Sequence, residues 1–300
     1  MKSKIRQVCN AYWLRPETAM WRAKDLLLLE KTKFKSPSLD LGCGDGTFMF
    51  INQGGEFKAS HDVFKETGNL LNFHNNEDIY NHYTQDYFPA IKQPVKKKIS
   101  RGLDHKLSLL LKARKISVYE KLKWGDANKE LDYSPKSFKT IFSNTLYWLD
   151  DVDAVLEGFC RILKENGRVY LFVPGEEFKK SQAFYSMQSP KWVRVINRAK
   201  YGNNQHCFNS KAWRELFERH GFEVRKELPY LGNRFVQFWD FGFRPFSPEL
   251  IKMQKILSWK EAMDIKESWV DTLEEIASSY IREGIDQGEK CFYFYELGLK

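Results

Sequence analysis

The sequence predicts an α/β fold, a doubly wound parallel sheet with helices on both faces, and two observations support this class. Apolar, strand-like segments alternate with helix-like segments along most of the chain, as is typical of a sheet covered on both sides. Residues 40–46 (DLGCGDG) then place Gly42, Gly44 and Gly46 at alternate positions between a short apolar strand and a helix beginning at Thr47. Glycine permits positive φ at such a turn and lets a ligand approach the bare main chain.

Local signals predict the first elements. Pro16 favours a first helical turn, so we expect a short amphipathic helix over residues 17–30 and then a strand over 38–41. Residues 50–95 are irregular and rich in Asn, His and aromatic side chains. A connection of that length is uncommon inside a compact domain unless it binds or covers something.

The regular pattern resumes after residue 95. A helix with one apolar face is expected to begin at Val152 and to end at Gly167 as its C-cap, and a later helix is expected to be capped by Ser210. Residues 240–288 look helical, and we interpret the apolar stripe from Ile265 to Tyr280 as core packing. One further strand is expected to end at Asp104. The remaining strands are expected at residues 119–124, 140–143, 168–173, 222–228 and 291–299.

The chain is basic. It carries 48 Lys and Arg against 39 Asp and Glu, a net charge of +9. Two cationic blocks, at 96–123 and 191–226, are either solvated surface or sites for an anionic partner. That partner would be nucleic acid, a phosphorylated or nucleotide-linked acceptor, or an anionic membrane face.

Several classes of protein are disfavoured by the composition. No apolar run approaches the length of a membrane-spanning helix. The five cysteines are scattered without paired or metal-type spacing, which predicts a reducing compartment and therefore a cytoplasmic protein. His74, Glu77, Asp78 and His82 lie near one another in the sequence, but they lack tight ligand spacing, so no metal is expected.

The glycine turn and the motifs after it resemble those of class I S-adenosylmethionine-dependent methyltransferases. Dinucleotide-binding turns read G-x-G-x-x-G, whereas here the last spacing is one residue shorter and an acid, Asp40, stands two residues before the first glycine. Residues 102–104 (GLD), 125–127 (GDA) and 137–144 (SFKTIFSN) follow in the order of the family's later motifs. The resemblance covers roughly residues 12–231. It implies a seven-stranded sheet of order 3-2-1-4-5-7-6 with the last strand antiparallel.

The resemblance also implies S-adenosyl-L-methionine as the cofactor, together with its contacts. The carboxylate of the methionine moiety would meet the N–H groups of the glycine turn, and Asp40 would accept from its ammonium group, directly or through water. Asp104 would bind the ribose hydroxyls. Asp126 would accept from the adenine amino group, with Ala127 beside it, and Asn144 would line the cofactor from the exit of the fourth strand.

The ribose acid has two candidates. Asp62 lies at about the expected distance after the glycine turn, but this choice would leave the helix after His105 without a place between strands. Asp104 precedes Asp126 by an ordinary strand–helix–strand span. We therefore assign the ribose role to Asp104, and residues 50–95 become an insertion.

Candidate catalytic residues follow the fourth strand or lie on a later polar loop. Methyl transfer from a sulfonium is an in-line displacement, so the protein must mainly align the acceptor and exclude water. Asn144 and Tyr147 stand at the strand exit, and His206 on the loop before Ser210 could act as a base near neutral pH. The alternative for His206 is a loop histidine that only bonds the backbone.

The predicted function is methyl transfer to a small-molecule acceptor, which we expect to be an anionic sugar or glycan precursor methylated at oxygen or nitrogen. Nucleic acid, especially RNA, is a less favoured acceptor, because residues 143–146 (SNTL) lack the pattern of base-modifying enzymes. A non-catalytic protein that binds S-adenosylmethionine is the third alternative. We expect one domain over residues 1–300, with a lid at 50–95 and a helical insertion at 236–290 between the last two strands.

Overall fold

A seven-stranded sheet forms the centre of the computed structural model, which describes residues 2–32, 34–64, 86–182, 206–243 and 246–300. The short strands β2 and β3 form a separate pair. The strands are β1 (Ser38–Leu41), β2 (Glu56–Phe57), β3 (Ile91–Gln93), β4 (Ile99–Asp104), β5 (Tyr119–Trp124), β6 (Phe138–Ser143), β7 (Leu163–Pro174), β8 (Phe222–Gly232) and β9 (Lys290–Leu299).

The strand order of the main sheet is β5-β4-β1-β6-β7-β9-β8. Strands β5, β4, β1, β6 and β7 are parallel, and β9 runs antiparallel to both of its neighbours. This order is the predicted 3-2-1-4-5-7-6, so the fold class is confirmed. Leu41 lies opposite Leu103 on β4 and Ser143 on β6. The carboxyl ends of the three central strands therefore open at one edge of the sheet.

The helices cover both faces of this sheet. Side chains from the N-terminal helices, from α3 and α4, and from the last three helices pack in one buried cluster, whereas α5 and α7 pack in the other. The described helices are α1 (Lys2–Ala11), α2 (Pro16–Leu29), α3 (Thr47–Asn52), α4 (Leu107–Ile116), α5 (Val152–Ile162), α6 (Glu176–Lys180), α7 (Ser210–Arg219), α8 (Asn233–Phe241), α9 (Ser247–Ile256) and α10 (Trp259–Glu283).

Two predicted helix caps are wrong. The side chain of Asp151 caps α5 at its start, but the helix ends at Ile162, and Gly167 lies inside β7. Asn209 rather than Ser210 caps α7, because its side chain accepts from the backbone N–H of Ala212 at 3.0 Å. The Ser210 hydroxyl instead donates to Glu227 on β8 at 2.6 Å.

The first insertion contains more regular structure than expected, whereas the second consists of helices. The first holds the β2–β3 pair, although residues 65–85 lie outside the described part. In the second, β8 extends to Gly232, so helices α8–α10 occupy residues 233–289 before β9. The stripe on α10 is only partly core, because Val270 and Ala277 are buried whereas Ile265 and Ile276 are about half exposed. Among the described residues, no helix is both long and apolar enough to cross a bilayer.

Candidate active site

The turn between β1 and α3 has the predicted backbone conformation. Gly42, Gly44 and Gly46 have φ values of 79°, 56° and 81°, all in the left-handed region. The backbone N–H groups of Gly42 and Cys43 both donate to the Leu103 carbonyl oxygen, at 2.8 and 3.0 Å. These bonds hold the turn against the end of β4.

Two glycines of the turn are required for different reasons. A Cβ atom on Gly42 would lie 2.0 Å from the Thr145 hydroxyl oxygen, because the turn packs against the exit of β6. A Cβ atom on Gly44 would meet no heavy atom within 4 Å. Gly44 therefore borders open space above the carboxyl edge of the sheet, and this space fits a ligand that approaches the main chain.

Asp104 lies directly beside the glycine turn at the end of β4. One of its carboxylate oxygens accepts from the Gly44 N–H at 2.9 Å, and the other accepts from the Lys106 N–H at 2.8 Å. Each carboxylate oxygen can accept a further hydrogen bond. The geometry fits an acid that holds a diol next to the turn.

Asp62, the alternative ribose acid, has a different place. One carboxylate oxygen accepts from the Trp13 indole N–H and from the Gln254 side-chain amide, each at 3.0 Å, and the other accepts from the Phe64 N–H at 2.8 Å. The side chain is buried. Asp62 therefore joins the segment before α2 to helix α9, and it stands at no strand end of the main sheet.

Asp40 is buried below the turn and is paired with a residue that sequence reasoning missed. The Tyr119 hydroxyl donates to its carboxylate at 2.6 Å. Burial raises the pKa of Asp40 to about 7, and the hydrogen bond from Tyr119 opposes this shift. Because this carboxyl titrates near neutrality, an ammonium group that binds beside it would favour its ionised form.

The Tyr119 ring reaches Asp40 because Gly102 has no side chain. The two residues belong to β5 and β1, and β4 lies between these strands. A Cβ atom on Gly102 would lie 3.0 Å from the Tyr119 ring and 2.9 Å from Leu122. The only signal in the sequence was an aromatic residue at the start of a strand, which does not by itself predict this contact.

The edge near β5 carries the expected adenine residues. Asp126 is exposed just after β5, and one of its oxygens accepts from the Asn128 N–H at 3.0 Å, whereas Ala127 is buried. Trp124 ends β5 with 69% of its surface exposed, and its indole N–H donates to the His105 carbonyl oxygen at 2.9 Å. This aromatic face beside Asp126, suited to stacking on a planar ring, was not singled out from the sequence.

The exit of β6 places Asn144 and Tyr147 on the same edge of the sheet as the glycine turn. Both side chains are half-buried. The Tyr147 ring lies 5.4 Å from that of Trp148 and 5.8 Å from that of Phe292 on β9. Burial raises the pKa of Tyr147 to about 12, so this phenol remains a neutral hydrogen-bond donor at physiological pH.

Helix α2 adds a charged pair beside Tyr147. A guanidinium nitrogen of Arg22 lies 3.3 Å from an Asp25 carboxylate oxygen, and the other Asp25 oxygen accepts from the Tyr230 hydroxyl at 2.8 Å. Arg22 and Asp25 both act electrostatically on Tyr147. Burial raises the pKa of Asp25 to about 7. Sequence reasoning did not single out this pair, and its bond to Tyr230 could not be predicted because α2 and Tyr230 are far apart along the chain.

His206 is the first described residue before α7, and its side chain is half-buried. Its Nε2 atom is buried and has no hydrogen-bond partner among the described residues. The adjacent residue, Cys207, acts electrostatically on Tyr147. His74, Glu77, Asp78 and His82 lie outside the described residues, and the part of the chain that the structure describes contains no cluster able to hold a metal ion.

The fold defines a Rossmann-like protein whose glycine turn, Asp104 and Asn144 lie at the carboxyl ends of its central strands. The sequence matches the family described as "Methyltransferase domain" over residues 16–227. The chain belongs to this family, and it is a class I methyltransferase that uses S-adenosylmethionine. Among curated proteins, none matches the sequence.

The chain also matches solved structures, at low similarity. A methyltransferase from Thermotoga maritima, described as a possible histamine N-methyltransferase, is 16% identical, with a TM-score of 0.47 over 77% of this chain and 86% of that one. A methyltransferase from Mesorhizobium loti is 14% identical, with a TM-score of 0.47 over 92% and 96%. The geranyl diphosphate C-methyltransferase of Streptomyces coelicolor is 10% identical, with a TM-score of 0.47 over 95% and 82%.

Proposed function

We propose that the protein methylates a small polar molecule, a sugar or glycan precursor that carries an anionic group, at an oxygen or nitrogen atom. The observation that supports this acceptor is Arg22, a half-buried cation beside Tyr147 at the exit of β6. A guanidinium group held by a carboxylate in a partly dry site is suited to binding phosphate or carboxylate. Aromatic rings next to it suit the faces of a sugar.

Behind Tyr147 lies a buried aromatic cluster that belongs to several elements. Phe292 on β9 packs at 5.8 Å from Tyr147, at 4.9 Å from Phe178 on α6, and at 4.8 Å from Trp21 on α2. Phe292, Phe178 and Trp21 are buried in the core, so they support the half-buried Tyr147 ring from behind. A ring fixed in this way favours one orientation of a small acceptor.

In the proposed cofactor site, the turn of Gly42, Gly44 and Gly46 lies against the amino-acid end of the cofactor and Asp40 accepts from its ammonium group. Asp104 holds the ribose diol. Asp126 and Ala127 border the adenine, and Asn144 lines the cofactor from β6. S-adenosylmethionine supplies an electrophilic methyl group on a sulfonium. The contribution of the chain is alignment and exclusion of water.

Tyr147, Asn144 and His206 are the proposed catalytic residues. Tyr147 is a neutral donor that positions the acceptor, and Asn144 offers an amide to the acceptor or the cofactor. His206 has a buried nitrogen without a partner among the described residues, and it accepts the proton that an alcohol or ammonium acceptor loses on methylation.

Transfer of a radiolabelled methyl group from S-adenosylmethionine to panels of sugar phosphates, nucleotide-linked sugars, neutral sugars and RNA tests the proposal. We expect the label in an anionic sugar. Arg22→Gln should raise KM for that acceptor about tenfold or more, since a hydrogen bond to a charged group contributes about 1.5–3 kcal/mol, and should leave cofactor affinity unchanged. Arg22→Lys is the matched control and should retain part of the affinity. Labelling of RNA alone would refute the proposed acceptor.

A further inference from the structure

The turn between α9 and α10 exposes an unusual run of apolar side chains. Residues 255–260 (KILSWK) are all exposed. Ile256 is 84% exposed, Trp259 51% and Leu257 38%, and Met253, one helical turn earlier, is 63% exposed. We propose that this corner, residues 252–260, inserts into the interface of an anionic lipid bilayer and docks the protein on a membrane surface. The proposal is independent of the methyl acceptor.

The exposed apolar residues are concentrated in this part of the molecule. Among the described residues, every large apolar side chain classed as exposed lies between positions 238 and 276, apart from Phe88, Leu107 and Trp124. Phe238, Phe241, Phe243 and Phe246 precede the corner along the chain and are also exposed. At the corner itself, four large apolar side chains within residues 253–259 are exposed, and a concentration of this kind marks a site of interaction rather than ordinary surface.

The charges around the corner match an anionic lipid surface. Lys255 and Lys260 flank the apolar run and are both exposed, whereas Lys252, half-buried one turn earlier, is ion-paired with Glu249 at 3.8 Å. Glu261 follows, but its carboxylate accepts from the Ser258 backbone N–H and hydroxyl in a capping box at the start of α10. When the apolar side chains are inserted in the bilayer, the long lysine side chains can extend back to the lipid headgroups. Each basic residue adds electrostatic attraction to anionic lipid.

The shape of the corner favours a bilayer over a folded protein partner. A helix that binds a groove presents one stripe of apolar residues at intervals of three and four, whereas here six consecutive residues of a helix–turn–helix junction are exposed. A protruding tip of Ile, Leu and Trp with basic flanks is suited to shallow insertion at the headgroup level.

The corner is held firmly to the rest of the protein. On α9, Gln254 donates to the buried Asp62 carboxylate at 3.0 Å, which also binds Trp13. On α10, the Lys266 ammonium donates to the His61 carbonyl oxygen. Ile251 and Ala262, on either side of the corner, are buried in the core. The exposed tip is therefore presented by fixed helices and does not fold back onto the protein.

Flotation of the full chain with vesicles tests the proposal. We expect binding to vesicles of phosphatidylcholine with about 30% phosphatidylglycerol, weaker binding to pure phosphatidylcholine, and a decrease as salt is raised. Ile256→Ser/Trp259→Ser should weaken the partition coefficient by about tenfold or more. Phe88→Ser is the matched control, since Phe88 is 75% exposed and rests on Lys115 away from the corner. This control should bind like the wild type.

Two charge-reversal variants distinguish attraction by the lysines of the corner from attraction by the net charge of the whole protein. Lys255→Glu/Lys260→Glu should lose binding, whereas Lys96→Glu/Lys121→Glu, with the same change in net charge at two exposed lysines elsewhere, should retain it. Circular dichroism melts verify that all variants are folded. Absence of wild-type binding to anionic vesicles would overturn the proposal, as would equal binding by both charge variants. Self-association abolished by Ile256→Ser, without lipid binding, would identify the corner as an interface between copies and would also overturn it.

Discussion

At the scale of single residues, Asp40 has the clearest connection between burial and chemistry. Its carboxyl lies below the glycine turn, is bonded to Tyr119 at 2.6 Å and has a pKa raised to about 7 by burial. A neighbouring ammonium group favours the ionised form and lowers that pKa again. Binding of the cofactor should then release a proton near neutrality.

Calorimetry at pH 7 in two buffers with different ionisation enthalpies measures this proton. The proposed role of Asp40 predicts release of about half a proton per cofactor bound at pH 7, because about half of the free protein already carries the ionised carboxylate, and a larger release at lower pH. It also predicts an affinity that increases as the pH rises through about 7, because the free protein must first lose the proton from Asp40. In Asp40→Asn the released proton should disappear. A proton count that is the same in wild type and Asp40→Asn would contradict the assignment.

The raised pKa of Asp40 makes the stability of the folded protein decrease with rising pH, whereas the affinity for the cofactor increases. Its folded pKa lies above the ordinary Asp value of about 3.9, so the folded protein binds more protons than the unfolded chain between about pH 4 and pH 7. Stability contributed by this group is therefore lost as the pH rises through that window. Asp25 has the same sign, because burial raises its pKa to about 7 as well.

Asp104 and Asp62 form a second residue-scale test. Asp104→Ala should weaken cofactor affinity by about 1–3 kcal/mol, the range for one or two hydrogen bonds, and should also lower the melting temperature, because the Gly44 and Lys106 N–H groups lose their acceptor. Asp62→Ala should lower the melting temperature but leave cofactor affinity unchanged, because it removes only the acceptor of the Trp13 and Gln254 donors. Titration calorimetry and thermal melts measure both quantities. The reverse pattern would return the ribose role to Asp62.

Sequence reasoning reached the site residues that follow a local spacing rule and missed those that depend on tertiary contact. Asp40, Asp104 and Asp126 were found because each stands at a fixed place relative to a strand end. Tyr119 could not be found, since its hydroxyl meets a carboxylate 79 positions earlier in the chain. The Asp25–Tyr230 hydrogen bond joins residues 205 positions apart, so the sequence did not predict it either.

At the scale of elements, the glycine turn carries the sharpest prediction. Gly44→Leu should abolish cofactor binding and leave the protein folded, because the added side chain fills the open space above the turn. The positive φ of 56° should cost only about 1–2 kcal/mol of stability. Gly42→Leu is the contrasting variant and should destabilise the fold severely, since its Cβ atom would meet Thr145. Calorimetry with S-adenosylhomocysteine and a thermal melt distinguish the two.

Most strands and helices of the domain followed from periodicity, and the errors lie at their ends. Ser210 and Asn209 are both good capping residues, and the choice between them depends on Glu227, which takes the Ser210 hydroxyl. Gly167 is a plausible C-cap by type, but β7 begins at Leu163 directly after α5 and includes it. The strand pair β2–β3 joins residues separated by a long connection, so local pattern gave no signal for it.

At the scale of the whole molecule, the position of the lysine cluster at residues 96–98 argues against this cluster as a binding site for a nucleic-acid acceptor. Lys96, Lys97 and Lys98 precede β4, and the Lys98 ammonium bonds Ser117 just before β5. These residues lie at the amino ends of the parallel strands, opposite the edge that carries Gly44 and Asp104. A nucleic acid bound there would not reach the acceptor side.

A triple variant tests this separation. Lys96→Glu/Lys97→Glu/Lys98→Glu should reduce any nonspecific RNA binding and its salt dependence, while cofactor affinity and methyl transfer to the proposed acceptor stay within about twofold of wild type. Filter binding across a salt series and the methyl-transfer assay provide the two readouts. A parallel loss of RNA binding and methyl transfer would favour the nucleic-acid alternative.

The place of β9 has a consequence for how the chain is made. Strands β7 and β8 emerge from the ribosome well before β9, which must pair with both of them in the finished sheet. At about 5–20 residues per second, synthesis of residues 233–289 takes a few to about ten seconds. During this time the edges of β7 and β8 that later pair with β9 are unpaired. Nascent chains of this protein should therefore engage chaperones mainly in that interval, since open edges are templates for wrong pairing.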